Sequence, residues 1–250
     1  MVSKPRRAPG YVIARGLSPI DGAPFVAVLT LKSRNRKTGD MAQVFIIRPD
    51  LHPSEALATG ADLTVCGNCP HRPRFDPEVD RIVRSCYVDV GKSVAAVWHA
   101  LQRGSYPDWQ PSDSRRLRGR RIRWGAYGDP AILPEGVVRD LTALADGHTG
   151  YTHQWRQPWA AWSRGFFQAS CDSFADYLDA SAAGWRTFAV VPQGAPAYSG
   201  KLCPATAPES QAQCLTCRLC DGAKQDIWVE AHGVGASHVP AHLIPEPVAA

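Results

Sequence analysis

Seven of the eight cysteines in this 250-residue chain fall into two groups. The first is Cys66-Gly-Asn-Cys69, with sixteen residues before Cys86. The second is Cys203, then ten residues, then Cys214-Leu-Thr-Cys217-Arg-Leu-Cys220. No other feature restricts the fold as much, because each group must bring its sulfurs to one point. Four protein ligands close a metal or cluster site, whereas three leave one position free for a substrate or cofactor. The two groups therefore point to different tasks.

Disulfides are the alternative use of cysteine, and they belong to oxidising compartments. The N-terminus, Met1-Val-Ser-Lys-Pro-Arg-Arg7, has no apolar stretch behind it, and no run of eighteen apolar residues occurs anywhere. These features predict no signal peptide, no membrane span and a cytoplasmic location, where clustered thiols are metal ligands more often than disulfides. In the second group a central cysteine is shared by two overlapping C-x2-C pairs, and Cys203 is the fourth donor. That spacing suits a [4Fe–4S] cluster better than the separated knuckles that zinc takes, and zinc stays as the alternative metal. In the first group His71 could complete a Cys3His zinc site, and an open [4Fe–4S] cluster is the other expectation. Cys171, on an apolar strand end, is expected to be a buried small residue.

Periodicity predicts an α/β chain. Residues 1–60 form an N-terminal extension, disordered over 1–10, with a β-hairpin from Phe25–Leu31 and Ala42–Arg48. Residues 61–235 alternate strand and helix, with strands expected at 62–65, 121–124, 149–153, 166–170, 185–191 and 226–230. Helices are expected at 94–102, 136–145 and 174–183, the last capped by Ser173, with one or two further helical turns at 158–164. Such alternation implies a parallel sheet, open or as a partial (β/α)6 barrel. A Cys-rich loop spans 200–224, and 236–250 is a loosely held tail. The expected strand ends carry Cys66 and Cys69, Asp129, His153, the Ser170–Asp172 segment, the second cysteine group and His232. All of them should gather on one rim, where α/β active sites lie.

The net charge is +5, and six arginines occur within nine residues from Arg115 to Arg123. This run either contacts phosphates, and with them nucleic acid, or is a solvated loop whose last arginine enters a strand.

The three-cysteine group after a first strand, Tyr127-Gly128-Asp129-Pro130 after a second, and a four-cysteine group near the C-terminus together resemble the radical-SAM family. The family's usual C-x3-C-x2-C becomes C-x2-C-x16-C here, a long gap that resembles its carbon–phosphorus lyase branch. The chain also resembles, over most of residues 30–235, uncharacterised proteins of phages and mobile elements, a resemblance that brings no activity with it. The family resemblance implies two [4Fe–4S] clusters, S-adenosylmethionine as cofactor, and an electron donor such as flavodoxin or ferredoxin. Cys66, Cys69 and Cys86 would hold the open cluster, and Cys203, Cys214, Cys217 and Cys220 the closed one. Tyr127, Gly128, Asp129 and Pro130 would receive the methionine amino group and Tyr87 the adenine. Ser170 and Asp172 would bind the ribose, Arg186 would meet the carboxylate, and Tyr151 and His153 would transfer protons or hydrogen. Two other classes remain open from the residues alone. One is a non-enzymatic zinc or iron–sulfur nucleic-acid binder using the Arg115–Arg123 run, and the other a zinc-dependent barrel enzyme acting on a nucleobase.

Overall fold

The computed structural model describes residues 8–195, 200–207, 209–233 and 235–239. Most of the expected N-terminal disorder and of the loose tail therefore lies outside the described residues. The chain is a mixed α/β structure with parallel strands in two five-stranded sheets.

The first sheet runs in the order β1 (Gly10–Leu17), β2 (Pro24–Thr30), β3 (Ala42–Ile47), β6 (Ile122–Tyr127), β7 (His148–Thr149). β1, β2 and β3 are antiparallel neighbours, whereas β3, β6 and β7 are parallel. The second sheet is all parallel, in the order β11 (Lys201–Leu202), β12 (Ile227–Glu230), β10 (Thr187–Val191), β9 (Gln168–Cys171), β8 (Tyr151–Thr152). A small antiparallel hairpin, β4 (Arg74–Asp76) and β5 (Arg81–Val83), stands apart.

Only Gly150 separates β7 from β8, so residues 148–152 pass from one sheet into the other. A Cβ at Gly150 would lie 2.5 Å from the Phe167 ring, so only glycine lets the chain cross here. Apart from the edge strand β11, the parallel neighbours then follow chain order, β3, β6, β7/β8, β9, β10 and β12, as short right-handed crossovers favour.

Five of the six expected parallel strands are found, shifted by a few residues. Asp62–Val65 is not a strand. It lies in a helical turn, α2 (Leu63–Cys66), in which the amides of Val65 and Cys66 donate to the Asp62 carbonyl at 3.1 and 2.9 Å. Thr64 and Val65 favour strands, but four residues carry no usable period, and tertiary contacts decide. Ser18 Oγ donates to the Thr64 carbonyl at 2.7 Å, and Thr64 Oγ1 donates to Asp21 Oδ2 at 2.7 Å. The first parallel strand is β3, the second arm of the expected hairpin. Residues on either side of position 60 thus share one sheet.

The core lies mainly on the first sheet. Leu29, Ile46, Ile122 and Trp124 are fully buried there, and Trp124 Nε1 donates to Thr142 Oγ1 on α4 (Glu135–Leu144) at 3.1 Å. A smaller core of Trp155, Ala169, Cys171, Ala180 and Trp185 sits under α5 (Phe174–Ala182). Ser173 caps α5 by accepting from the Asp176 amide at 3.1 Å. Cys171 is fully buried in this core, as expected of a packing residue. The predicted helix at 94–102 is α3 (Ala95–Gln102), entered through a π-helical turn at Val90–Val94. Unforeseen elements are β1, β4, β5, β11, α1 (Pro53–Thr59) and α6 (Cys214–Cys217).

Candidate functional site between two thiol groups

Side chains alternate across a strand, so every second residue of the parallel strands faces the same side. Arg123, Gly125 and Tyr127 of β6, Thr149 and Tyr151 of β7 and β8, Ser170 of β9, Phe188 and Val190 of β10 and Val229 of β12 all line one cavity of about 210 Å³. His153 and Asp172, the next residues of the same facing sets, continue the wall. Six of the seven grouped cysteines line it too, and Cys217 lies directly behind, in a small recess with Cys203, Cys214 and Cys220.

The first thiol group belongs to the segment that leaves the carboxyl end of β3. Its loop is fixed by Arg72, whose guanidinium donates to both Asp62 oxygens at 2.8 and 2.7 Å, and to the carbonyls of Gly67 and Gly60 at 3.1 and 2.8 Å. Gly67, at φ +59, turns the chain between Cys66 and Cys69, and a Cβ there would strike the Gln154 amide at 2.2 Å. The Cys86 amide donates to the His71 carbonyl at 3.0 Å, which returns the third cysteine to the first two across the long gap. Burial pushes the Cys66 thiol well up, and neighbouring Cys69 and Cys86 add to it.

The second thiol group does not share that rim. The amides of Cys214 and Leu215 donate to the carbonyls of Lys37 and Thr38, at 2.9 and 3.0 Å, upstream of β3. The Gly150 amide donates to the Cys220 carbonyl at 3.0 Å, and Gly222 packs on the Phe166–Phe167 backbone ahead of β9. The group therefore closes the amino-terminal end of the strands, and the cavity separates it from the first group. Burial pushes the Cys220 thiol well up, reinforced by Cys203, Cys214 and Cys217. All eight cysteines are free thiols.

Between the groups lies a polar wall. Asp172 faces two imidazoles, His71 Nε2 at 3.1 Å from Oδ1 and His153 Nε2 at 3.0 Å from Oδ2. The His153 contact is an ion-pair contact only, and this buried ring nitrogen has no hydrogen-bond partner among the described residues. His71 Nδ1 meets Ser85 Oγ at 2.9 Å. Burial alone would push the Asp172 carboxyl up, but the His153 and His71 rings hold it well below the usual carboxylate range. Burial would likewise push His153 down, and Cys69 and Asp172 instead hold it well above its ordinary value. The donor atoms of His71, His153 and Asp172 lie within 4.8 Å of one another.

Asp129 is buried, and burial raises its pKa. Its oxygens accept from the amides of Ala131 at 3.0 Å and His153 at 2.8 Å, so its carboxylate already braces the turn after β6. Gly128, at φ +80, lies where a Cβ would be 2.7 Å from Ile46. Pro130 packs beside Gly125 and does not line the cavity. The Tyr127 hydroxyl and Ser170 Oγ are buried and have no hydrogen-bond partner among the described residues.

Arg186 is not placed where the resemblance put it. It sits before β10, half exposed, with Nε donating to the Ala223 carbonyl at 3.3 Å and Nη1 at 3.5 Å from Asp226 Oδ2. The cavity's guanidinium is Arg123, which sequence reasoning had taken only as the strand end of the arginine run. The rest of that run forms no continuous basic stripe. Arg116 and Arg120 donate to the carbonyls of Ala8 and Leu31, Arg121 is buried, and only Arg115 and Arg118 are exposed. His71 was foreseen only as a zinc ligand, and Lys37 and Phe188 were not foreseen at all. Period-2 alternation from Arg123 and from Val190 was the signal available for two of these.

No family model, curated protein or solved structure matches this chain. Among the described residues, no helix is long and apolar enough to cross a membrane.

Proposed function

We propose that the protein is an iron–sulfur enzyme of radical-SAM type, built on a partial barrel of six parallel strand positions that encloses the cavity. The observation that carries this reading is the placement of three thiols at the carboxyl-terminal mouth and four at the opposite end of one cavity. The donor sets fit the groups they would hold. Cys66, Cys69 and Cys86 are mutual neighbours with no fourth cysteine, and Cys203, Cys214, Cys217 and Cys220 form a complete set. The seven thiols are half-buried, and burial raises those of Cys66, Cys86, Cys214, Cys217 and Cys220, which favours the protonated form until a metal replaces the proton.

When bound, an open [4Fe–4S] cluster supplies the electron that splits S-adenosylmethionine into methionine and a 5′-deoxyadenosyl radical. The chain's residues bind, orient and exclude water. The unpartnered Ser170 hydroxyl and Asp172 face the cavity as ribose partners, and Tyr87 offers a ring near the mouth, stacked on His232 at 5.4 Å. Asp129 holds the Gly128 turn and the His153 backbone, so amino-group recognition falls to this turn as a unit. Tyr151 and His153 face the interior as donors to a substrate. A soluble one-electron donor, flavodoxin or ferredoxin in type, would supply the reducing equivalent.

A second reading is favoured by the cluster of His71, His153 and Asp172. Two imidazoles and a carboxylate suit zinc, and a zinc-dependent enzyme would activate water there. Metal analysis of anaerobically purified protein separates the two. About eight irons per chain with absorbance near 400 nm supports the first, and colourless protein carrying zinc supports the second.

A further inference from the structure

The inner wall of the cavity carries a guanidinium, Arg123, that has no carboxylate partner among the described residues; its other ionisable neighbours are the thiols of Cys214 and Cys220. Arg123 Nη2 donates to the hydroxyls of Tyr87 and Tyr151 at 2.6 and 2.7 Å. Among the described residues its Nε and Nη1 make no hydrogen bond, and no carboxylate pairs with it. The two phenols are 3.2 Å apart, so one donates to the other and a single phenolic proton is left over. Tyr151 is fixed in turn by stacking on Phe188 at 4.3 Å. The guanidinium is half-buried in the cavity wall, its hydrogen-bond partners are two phenols, and its Nε and Nη1 are left to donate to an anion. Its planar fork fits a carboxylate or a phosphate.

A second observation points the same way. Tyr127 and Ser170, each 5% exposed, line this cavity, and their hydroxyls have no partner among the described residues. Phe188, Val190 and Val229 supply an apolar wall beside them. Unspent donors at one end, a lone hydroxyl farther along and an apolar side between describe a small-molecule site.

We infer that the cavity binds a small substrate by an anionic end, carboxylate or phosphate, with Arg123 as its anchor and Tyr87 and Tyr151 as supporting hydroxyls. The substrate lies between the two thiol groups, with its remainder against Phe188, Val190 and Val229. This rests on the cavity being the substrate chamber of the enzyme proposed above.

The test uses anaerobically purified, metal-loaded protein. Thermal unfolding is followed with inorganic phosphate and, separately, with malonate at constant ionic strength. Wild type is compared with Arg123→Met, Arg123→Lys and Arg118→Gln. At least one anion raises the Tm of wild type and Arg118→Gln saturably, Arg123→Met abolishes the rise, and Arg123→Lys weakens the apparent affinity roughly tenfold. A response to phosphate alone assigns a phosphorylated substrate, and one to malonate alone a carboxylate. No saturable rise in wild type, or an unchanged rise in Arg123→Met, overturns the inference. If Arg123→Met does not fold, Tyr151→Phe must weaken the response severalfold, and an unchanged response overturns the inference equally. Reductive cleavage of S-adenosylmethionine is scored on the same samples. Cleavage without an anion response removes this inference alone, and an anion response without cleavage removes the radical reading alone.

Discussion

At the scale of single residues, Arg72 shows how the first thiol loop is held. Asp62 is 1% exposed, and its charge is balanced by the Arg72 fork. Arg72→Ala leaves that carboxylate buried and unpaired, a loss of about 3–5 kcal/mol in urea unfolding. Arg72→Lys recovers only part, since an ammonium cannot span Asp62 and two carbonyls. Gly128→Ala, forcing a Cβ against Ile46 at positive φ, costs about 1–3 kcal/mol. His148 gives a pH signature. Burial pushes its imidazole down, against the pull of the Phe166 carbonyl, which accepts from Nε2 at 2.8 Å. The folded state therefore prefers the neutral ring. Stability is full above about pH 6.5, the ordinary value, and is lost as pH falls from there toward the lowered folded value, because the unfolded chain takes the proton first. Urea midpoints measured from pH 7.5 to 5.5 should fall for wild type and fall less for His148→Gln. An identical slope in both would assign the pH dependence elsewhere. Residue chemistry was partly legible in the sequence. Cysteine spacing announced two sites, and Ser173 announced a cap. Arg123 was hidden inside a basic run whose members go to different places, because a count of charges carries no direction.

At the scale of elements, the alternating pattern revealed five of the parallel strands because each buries one apolar face against helices or core and turns the other to the cavity. It could not reveal α2, where buried hydrogen bonds to Ser18 and Asp21 override the strand preference of Thr64 and Val65. Nor could it place the second thiol loop. Cys214 and Leu215 are fastened to Lys37 and Thr38, far away in sequence, and no local signal encodes that contact. The sixteen-residue gap of the first group has a simple physical form. Its base is closed by the Cys86 amide on the His71 carbonyl, and beyond it β4 and β5 project with Phe75 58% and Ile82 64% exposed. Replacing Phe75–Ile82 by a short Asn-Gly turn should therefore leave metal stoichiometry unchanged. Loss of about half the metal would show that the hairpin itself shapes the first site.

At the scale of the molecule, two sheets joined at Gly150 set seven thiols at opposite ends of one chamber, with Asp172, His153 and Arg123 between them. The α/β class and the gathering of Asp129, His153, Ser170 and Asp172 on one cavity were legible from strand order, whereas Tyr87, Tyr127 and Tyr151, which line the same cavity, were named only through the family resemblance. The opposition of the two thiol groups was not, since it depends on how the loop after β11 threads back under the strands. Changing Cys66, Cys69 and Cys86 together to Ala should remove about half of the bound metal, whereas Cys171→Ser, in the core under α5, should remove none. The central claim is tested most directly by reducing the anaerobic, iron-loaded protein with dithionite in the presence of S-adenosylmethionine and measuring 5′-deoxyadenosine. Formation of 5′-deoxyadenosine and methionine in equal amounts, abolished in the Cys66/Cys69/Cys86 variant, is the predicted result. A fully loaded, reduced protein that forms neither would contradict it.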